Sequence, residues 1–185
     1  MEPILHIKPT DMYYAIGIFI FLLIFYLIVK APLIVIGHWH HGFADFEYSP
    51  NDFYIHAEEA IQKHEVPGLD YSRVTHYESS ILYGRREYLR IRCDNYVFDI
   101  CASPFGTGFF VSWWFIEKQS LFKRLAKRFP SLEFLNLKTF YQIDTDTMYK
   151  EYMHKGLLEA IDQMTNAKGA RALSELERQI TDVRK

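Results

Sequence analysis

The chain opens with one long apolar stretch. Residues 13–29 read YYAIGIFIFLLIFYLIV, without a charge or a proline, so a helix over them would be apolar on every side. At a rise of about 1.5 Å per residue the stretch covers roughly 25 Å, slightly less than a bilayer core. Apolar residues resume after Lys30. The pattern predicts a short tail over 1–12 and a transmembrane anchor over 13–36.

The ends of this segment carry residues that suit a membrane–water interface. Tyrosine and tryptophan are enriched at that depth, and a lysine near a helix end can extend its ammonium to the headgroups. We therefore expect the following interfacial anchors: Tyr13, Tyr14, Tyr26, Lys30 and Trp39. A cleaved signal peptide would begin with basic residues and end at a small-residue site, whereas this chain begins MEPILHIKPTDM and has no such site.

The rest of the chain shows the periodicities of an α+β domain. Residues 37–50 look like a juxtamembrane connector, and apolar positions at helical spacing predict a helix over 51–65. Alternating runs bounded by turn residues predict four strands, at 71–83, 86–93, 96–103 and 109–117. The expected fold is a transmembrane helix followed by a soluble domain over 51–185, which contains a helix, a four-stranded antiparallel β-meander and C-terminal helices.

The later helices have their own start signals. Asp144-Thr145-Asp146-Thr147 precedes a long apolar stripe, so the two aspartates are expected to cap a helix that ends near Gly169. Ser174 and Glu177 have capping-box spacing and predict a last short helix.

The hairpin between the second and third predicted strands has a register specified by two independent features. With Asp94-Asn95 as its turn, the apolar residues of both strands share one face. On the other face Arg90 lies opposite Asp99, a favourable cross-strand charge pair. Pattern and charge therefore predict the same register.

The same register separates the two cysteines of the chain. Cys93 lies opposite Tyr96 and Cys101 opposite Tyr88, which places the sulfurs on opposite faces and roughly 15 Å apart. This separation excludes an intrachain disulfide. Two unpaired thiols favour a reducing compartment, and we expect the soluble domain to lie on the cytoplasmic side of the membrane.

Composition narrows the functional classes. Charged residues make up 24% of the chain and the formal net charge is −2, which argues against a nucleic-acid binder that works by bulk charge. Aromatic residues reach 17%, which favours an aromatic-rich sheet close to a bilayer.

Two features suggest contact with a membrane surface or a partner. The segment 118–129 combines leucine and phenylalanine with basic residues and could lie on anionic headgroups or pack on the core with its basic face in water. Trp113 and Trp114 point to opposite faces of a strand, so one is expected in the core and the other could anchor an interface. The candidate contact residues are Lys118, Lys123, Arg124, Lys127, Arg128, Trp113 and Trp114.

The candidate chemistry is sparse. His38, His40 and His41 could bind a metal, but a structural site usually has four ligands and no cysteine or carboxylate completes the spacing. Residues 106–108 read GTG and lead into a strand, as in a hairpin turn, rather than into the helix that a phosphate loop requires. The sequence therefore predicts no cofactor and no complete catalytic set.

Three functions remain open. The leading interpretation is a single-pass membrane-anchored adapter or accessory subunit that holds a protein partner, or its own copies, at the membrane. The first alternative is a membrane-tethered sensor that closes an aromatic-lined pocket on a small ligand. The second is a hydrolase or metal enzyme that uses His38, His40, His41 or residues distant in the sequence.

Overall fold

The computed structural model describes residues 9–29, 33–77, 85–118 and 137–180. Within these ranges, five strands form one antiparallel sheet in the order β1-β5-β4-β3-β2, and three helices accompany it. The helices are α1 Pro9–Val29, α2 Pro50–Gln62 and α3 Phe140–Ala167. The strands are β1 Leu33–Phe43, β2 Asp70–Tyr77, β3 Arg85–Cys93, β4 Tyr96–Phe105 and β5 Gly108–Lys118. The α+β class is confirmed.

The β3–β4 hairpin has the predicted register. Cys93 pairs with Tyr96, Arg90 with Asp99, and Tyr88 with Cys101. The Arg90 guanidinium donates to both Asp99 carboxylate oxygens, at 2.7 and 2.6 Å. Both cysteines are buried free thiols. The charge pair and the apolar face thus act together to fix this register.

Strand β1 corrects the predicted architecture. The sequence pattern predicts the end of the membrane segment and a connector over residues 33–43, but these residues form an edge strand antiparallel to β5. The expected four-stranded meander is therefore a five-stranded sheet. The alternation of β1 was hard to recognise, because its outward positions carry histidines and its partner strand lies more than sixty residues away in the sequence.

Trp39 belongs to the core and does not anchor an interface. It lies on β1 opposite Trp113, is only 2% exposed, and donates from Nε1 to the Glu177 carbonyl at 2.8 Å. Burial of the indole with its N–H satisfied explains why this residue stays in the protein rather than at a headgroup layer.

Helix α2 closes one side of the core. Ser49 caps it by accepting from the Asp52 backbone N–H, and Pro50 occupies its first turn. Its buried face is apolar: Phe53, Tyr54, Ala57, Ala60 and Ile61. The predicted helix over 51–65 is confirmed, with its end at Gln62.

Helix α3 begins earlier than expected. Thr139 and Gln142 form a capping box, so the helix starts at Phe140 and Asp146 lies within it, buried rather than capping. Gly169 follows the helix with φ of 63°, as expected for a C-terminal glycine. The predicted helix after Ser174 is wrong: Ser174 and Glu177 are hydrogen-bonded to each other, but 175–178 form turns.

The two covering helices touch at a glycine. A Cβ added to Gly156 of α3 would lie 2.7 Å from Ile61 Cγ1 and 3.0 Å from Ile61 Cα. A larger side chain would therefore push α2 and α3 apart. The close contact fixes both helices over the inner face of the sheet, where the aromatic core residues of β4 and β5 lie.

Helix α1 presents apolar side chains to its surroundings. Those described, at 12–23 and 25–26, are all exposed. Among the side chains that the structure describes, no helix carries an apolar stretch long enough to cross a membrane. Lys30 lies outside the described residues, as does the end of the strand predicted over 71–83 beyond Tyr77.

Candidate functional site

An open cleft lies between the end of α2 and the first half of α3. Its volume is about 350 Å³, within the range of ligand and peptide sites. Helical spacing places its α3 side chains on one side of the helix, and Tyr141, Met148 and Tyr152 are all exposed. The lining residues are His64, Glu65, Val66, Pro67, Tyr141, Thr145, Met148, Tyr149 and Tyr152.

The wall opposite α3 is formed where α2 ends. The chain turns through Glu65, which has φ of 50°, and then through Pro67 and Gly68. His64 packs its ring against Tyr152 at 5.9 Å between centroids. Its Nε2 lies 3.2 Å from Glu159 Oε1 without hydrogen-bond geometry. The turn therefore adds the apolar residues Val66 and Pro67 to the lining of the cleft.

One residue that lines the cleft, Tyr149, is hydrogen-bonded to a buried thiol. Cys93 donates from Sγ to the Tyr149 hydroxyl at 2.8 Å. This hydrogen bond, together with burial, raises the pKa of Tyr149 to about 12. Tyr149 therefore stays neutral at physiological pH. A neutral phenol suits a binding surface, but it does not supply the ionised group that nucleophilic catalysis needs.

A lysine cluster lies beside the cleft; we define it as Lys138, Glu117, Asp146 and Tyr96. Lys138 Nζ is 2.5 Å from both Glu117 Oε2 and Asp146 Oδ2. The Tyr96 hydroxyl donates to the other oxygen of Asp146. Burial and this hydrogen bond raise the pKa of Tyr96. The lysine cluster therefore joins α3 to β4 and β5 through ion pairs and a hydrogen bond among its own side chains.

A histidine cluster holds the middle of α3; we define it as His154, Trp113 and Trp39 with the carbonyls of Glu177 and Arg178. Trp113 donates to His154 Nδ1 at 3.0 Å, and His154 Nε2 lies 2.6 Å from the Arg178 carbonyl. These partners require neutral His154 with its proton on Nε2. Burial lowers the His154 pKa, so the ring is neutral at pH 7 and serves packing.

The H-x-H-H motif does not form a metal centre among the described residues. His38 and His40 lie on the outer face of the sheet, whereas His41 faces inward with Nε2 at 4.0 Å from Glu177. His38 stacks on Trp114 at 3.8 Å between centroids, and burial lowers its pKa. In the part of the chain described here, no three His, Cys, Asp or Glu residues could hold a metal together.

The two neighbouring tryptophans separate as predicted, and only one remains a contact candidate. Trp113 is completely buried, which corrects its assignment to a contact surface, whereas Trp114 is 37% exposed. Lys118 is exposed at the end of β5. The remaining basic candidates, Lys123, Arg124, Lys127 and Arg128, lie outside the described residues.

The core leaves little room for a ligand. The internal space between Cys93, Phe98 and Met153 is about 10 Å³, about the minimum that one water needs. An aromatic-lined pocket of the kind that a small-ligand sensor requires is therefore not found within the described core.

The sequence pattern missed the cleft because α3 has two apolar sides. The helical spacing predicts one apolar stripe that includes Tyr149, Tyr152 and Met153, but Tyr152 is exposed and Tyr149 only partly buried. Two sequence features point to the cleft: the width of that stripe, and the aromatic residues Phe140 and Tyr141 ahead of the predicted helix start. A stripe wider than a core requires indicates a second contact surface.

Comparison with protein-family models, with curated proteins and with solved structures gives no match to this chain. Its function must therefore be inferred from the described geometry.

Proposed function

We propose that this protein is a single-pass membrane-anchored adapter or accessory subunit. Residues 13–29 form the anchor, the domain that begins at Leu33 lies on the cytoplasmic side, and the α2–α3 cleft binds a protein partner or a second copy of the chain. The proposal rests mainly on the cleft, where Met148 and Tyr152 of α3 are exposed next to an apolar wall.

The composition of the cleft suits a protein rather than a small polar substrate. Tyrosine and methionine are enriched at the centres of protein interfaces, because they offer large contact area and adaptable packing. The cleft is open, and the Tyr149 phenol in its lining stays protonated. A helix or extended segment with apolar anchors could fill it.

The membrane anchor is supported by sequence and exposure together. The side chains described in α1 include Phe19, Phe21 and Leu22, which are more than half exposed. Exposing such side chains to water is unfavourable by about 25 cal/mol per Å², and lipid removes this cost. The basic segment 118–129 and Trp114 supply further contact candidates at the membrane surface or with the partner.

The adapter proposal is tested by substitution in the cleft. Met148→Lys places a charge among apolar contacts, and Leu176→Lys places the same charge at an exposed leucine elsewhere. In native membranes solubilised with mild detergent, we expect Met148→Lys to lower partner recovery at least about tenfold and Leu176→Lys to leave it unchanged. Equal recovery from both variants, or a wild-type chain that is monomeric and alone, would contradict the proposal.

The anchor is tested separately. The full-length chain should stay with vesicles after a carbonate wash. Release into the supernatant as a detergent-free particle would refute the membrane assignment, whatever the cleft binds.

A further inference from the structure

The N-terminal end of α3 carries an exposed apolar group; we name Leu137, Phe140 and Tyr141 the aromatic tip. Their exposed fractions are 75%, 88% and 79%. The capping box formed by Thr139 and Gln142 satisfies the backbone N–H groups of these two residues. The nearby Lys138 ammonium is held by Glu117 and Asp146. The tip therefore presents large exposed side chains beside a capped helix start and an ion-paired lysine.

Helix α3 runs alongside β5 in the opposite direction. Asp146 contacts Tyr96, which pairs with Glu117, and His154 contacts Trp113. The eight residues from Asp146 to His154 cover about 12 Å of helix, and the four from Glu117 back to Trp113 cover about 13 Å of strand. The two distances agree, so the axis of α3 is nearly parallel to β5. Phe140, six residues before Asp146, therefore lies roughly 9 Å beyond the level of Glu117.

The chain enters the domain from α1 at this same end. Leu33, the first residue of β1, pairs with Lys118, the last residue of β5. Val29, the end of α1, is four Cα steps from Leu33 and hence at most about 15 Å away. The tip therefore projects from the end of the sheet to which α1 is attached.

We propose that the aromatic tip inserts into the headgroup layer of the bilayer that holds α1, as a second membrane contact; this rests on the membrane anchorage proposed above. Leucine, phenylalanine and tyrosine together match that layer, where apolar rings enter the acyl boundary and the tyrosine hydroxyl stays hydrated. The short connection to α1 keeps the tip near the bilayer surface, so its insertion costs little additional translational and rotational entropy. Two membrane contacts, through α1 and through the aromatic tip, fix the orientation of the domain relative to the bilayer.

Fluorescence quenching tests the insertion with a matched control. Phe140→Trp adds an emitter at the tip, and Phe105→Trp adds one at the β4–β5 turn, where Phe105 is 77% exposed at the opposite end of the sheet. The full-length chain is reconstituted in phosphatidylcholine vesicles with or without lipids brominated near the headgroup end of the acyl chains. For each variant, the wild-type emission is subtracted to give the emission of the added tryptophan. This emission is compared between vesicles with and without brominated lipid.

We expect brominated lipid to remove most of the emission added by Phe140→Trp and none of that added by Phe105→Trp. Equal, weak quenching of both variants in vesicles that retain the chain after a carbonate wash would overturn the insertion and leave the anchor intact. Release of the chain in that wash would instead refute the anchorage on which the inference rests. Near-UV circular dichroism that matches the wild type verifies that both variants are folded.

Discussion

Helix α3 is fastened to the sheet at two places by opposite kinds of chemistry. Near its start, the lysine cluster uses an ammonium and two carboxylates, with Lys138 at 2.5 Å from each acid. At its middle, the histidine cluster uses a neutral imidazole, two indoles and backbone carbonyls. Both clusters are buried, but only the first depends on full charges.

This difference determines how each cluster can fail. A buried charge that loses its partner keeps its desolvation cost, whereas a neutral group loses a hydrogen bond of modest net value. Conversely, the neutral cluster is sensitive to protonation, because its imidazole must accept from Trp113. The charged cluster should thus be the more sensitive to substitution, and the histidine cluster should respond to mild acid.

The largest effect is expected at the lysine cluster. Lys138→Met removes the ammonium from both carboxylates, and we expect the free energy of unfolding to fall by about 3–5 kcal/mol. Lys118→Met, at an exposed lysine adjacent to Glu117, should change it by less than about 0.5 kcal/mol. Denaturant unfolding of the full-length chain in detergent micelles, followed by near-UV circular dichroism, measures both. Equal losses would show that the cluster contributes nothing specific.

Substitution in the histidine cluster should lower the free energy of unfolding by less than substitution in the lysine cluster. Trp113→Phe keeps a ring in the core but removes the donor to His154 Nδ1, and we expect a loss of about 1–3 kcal/mol. Trp114→Phe, on the partly exposed outer face, should cost less than about 1 kcal/mol. The same unfolding measurement applies. A larger cost at Trp114 would contradict the assignment of Trp113 to the core.

Acid should weaken the histidine cluster selectively. The pKa of His154 is lowered below 6.5 in the folded chain by burial, so below that pH the unfolded chain binds more protons. The free energy of unfolding should therefore fall as the pH drops below 6.5 towards the folded pKa, and should not change through this group above it.

Replacement of the imidazole isolates its share of this pH dependence. His38 and His41 also have lowered pKa values and act in the same direction. We expect His154→Gln to unfold with a smaller difference in free energy between about pH 7.5 and about pH 5 than the wild type. Parallel pH profiles for the two proteins would show that His154 does not carry the effect.

The smallest effect is expected at the surface beside the histidine cluster. Arg171 pairs with Glu177 at 2.7 Å, and chiefly its guanidinium holds the Glu177 pKa at about 2. Arg171→Ala should raise that pKa towards its ordinary value in an NMR titration and leave the melting temperature unchanged, because exposed ion pairs contribute little. A clear drop in melting temperature would show that the pair supports the Trp39 contact with the Glu177 carbonyl.

The extent to which sequence predicted the fold depends on the range of the interactions. The β3–β4 register was predictable from Arg90 and Asp99, because a short turn brings both strands together. Strand β1 was not, since its pairing with β5 spans most of the domain and its outward histidines conceal the alternation. Local chemistry therefore predicted the hairpin, and the edge strand required long-range contacts.

The candidate site was less predictable for the same reason. Asp146 precedes an apolar stripe and has the sequence features of a cap, but Lys138 and Tyr96 draw it into a buried cluster that only the assembled domain brings together. The cleft arises from two helices whose separation is set at Gly156 and Ile61, a contact that no pattern within either helix reveals.

The position of β1 has a mechanical consequence. It is the strand that follows α1, and it pairs with β5 from Leu33–Lys118 to Phe43–Phe109. Antiparallel hydrogen bonds lie perpendicular to the strands, so a pull transmitted through α1 along the strand axis loads the whole ladder in shear. Such a pull must break many bonds at once, instead of peeling them one after another, so the pairing of β1 with β5 is suited to carrying tension.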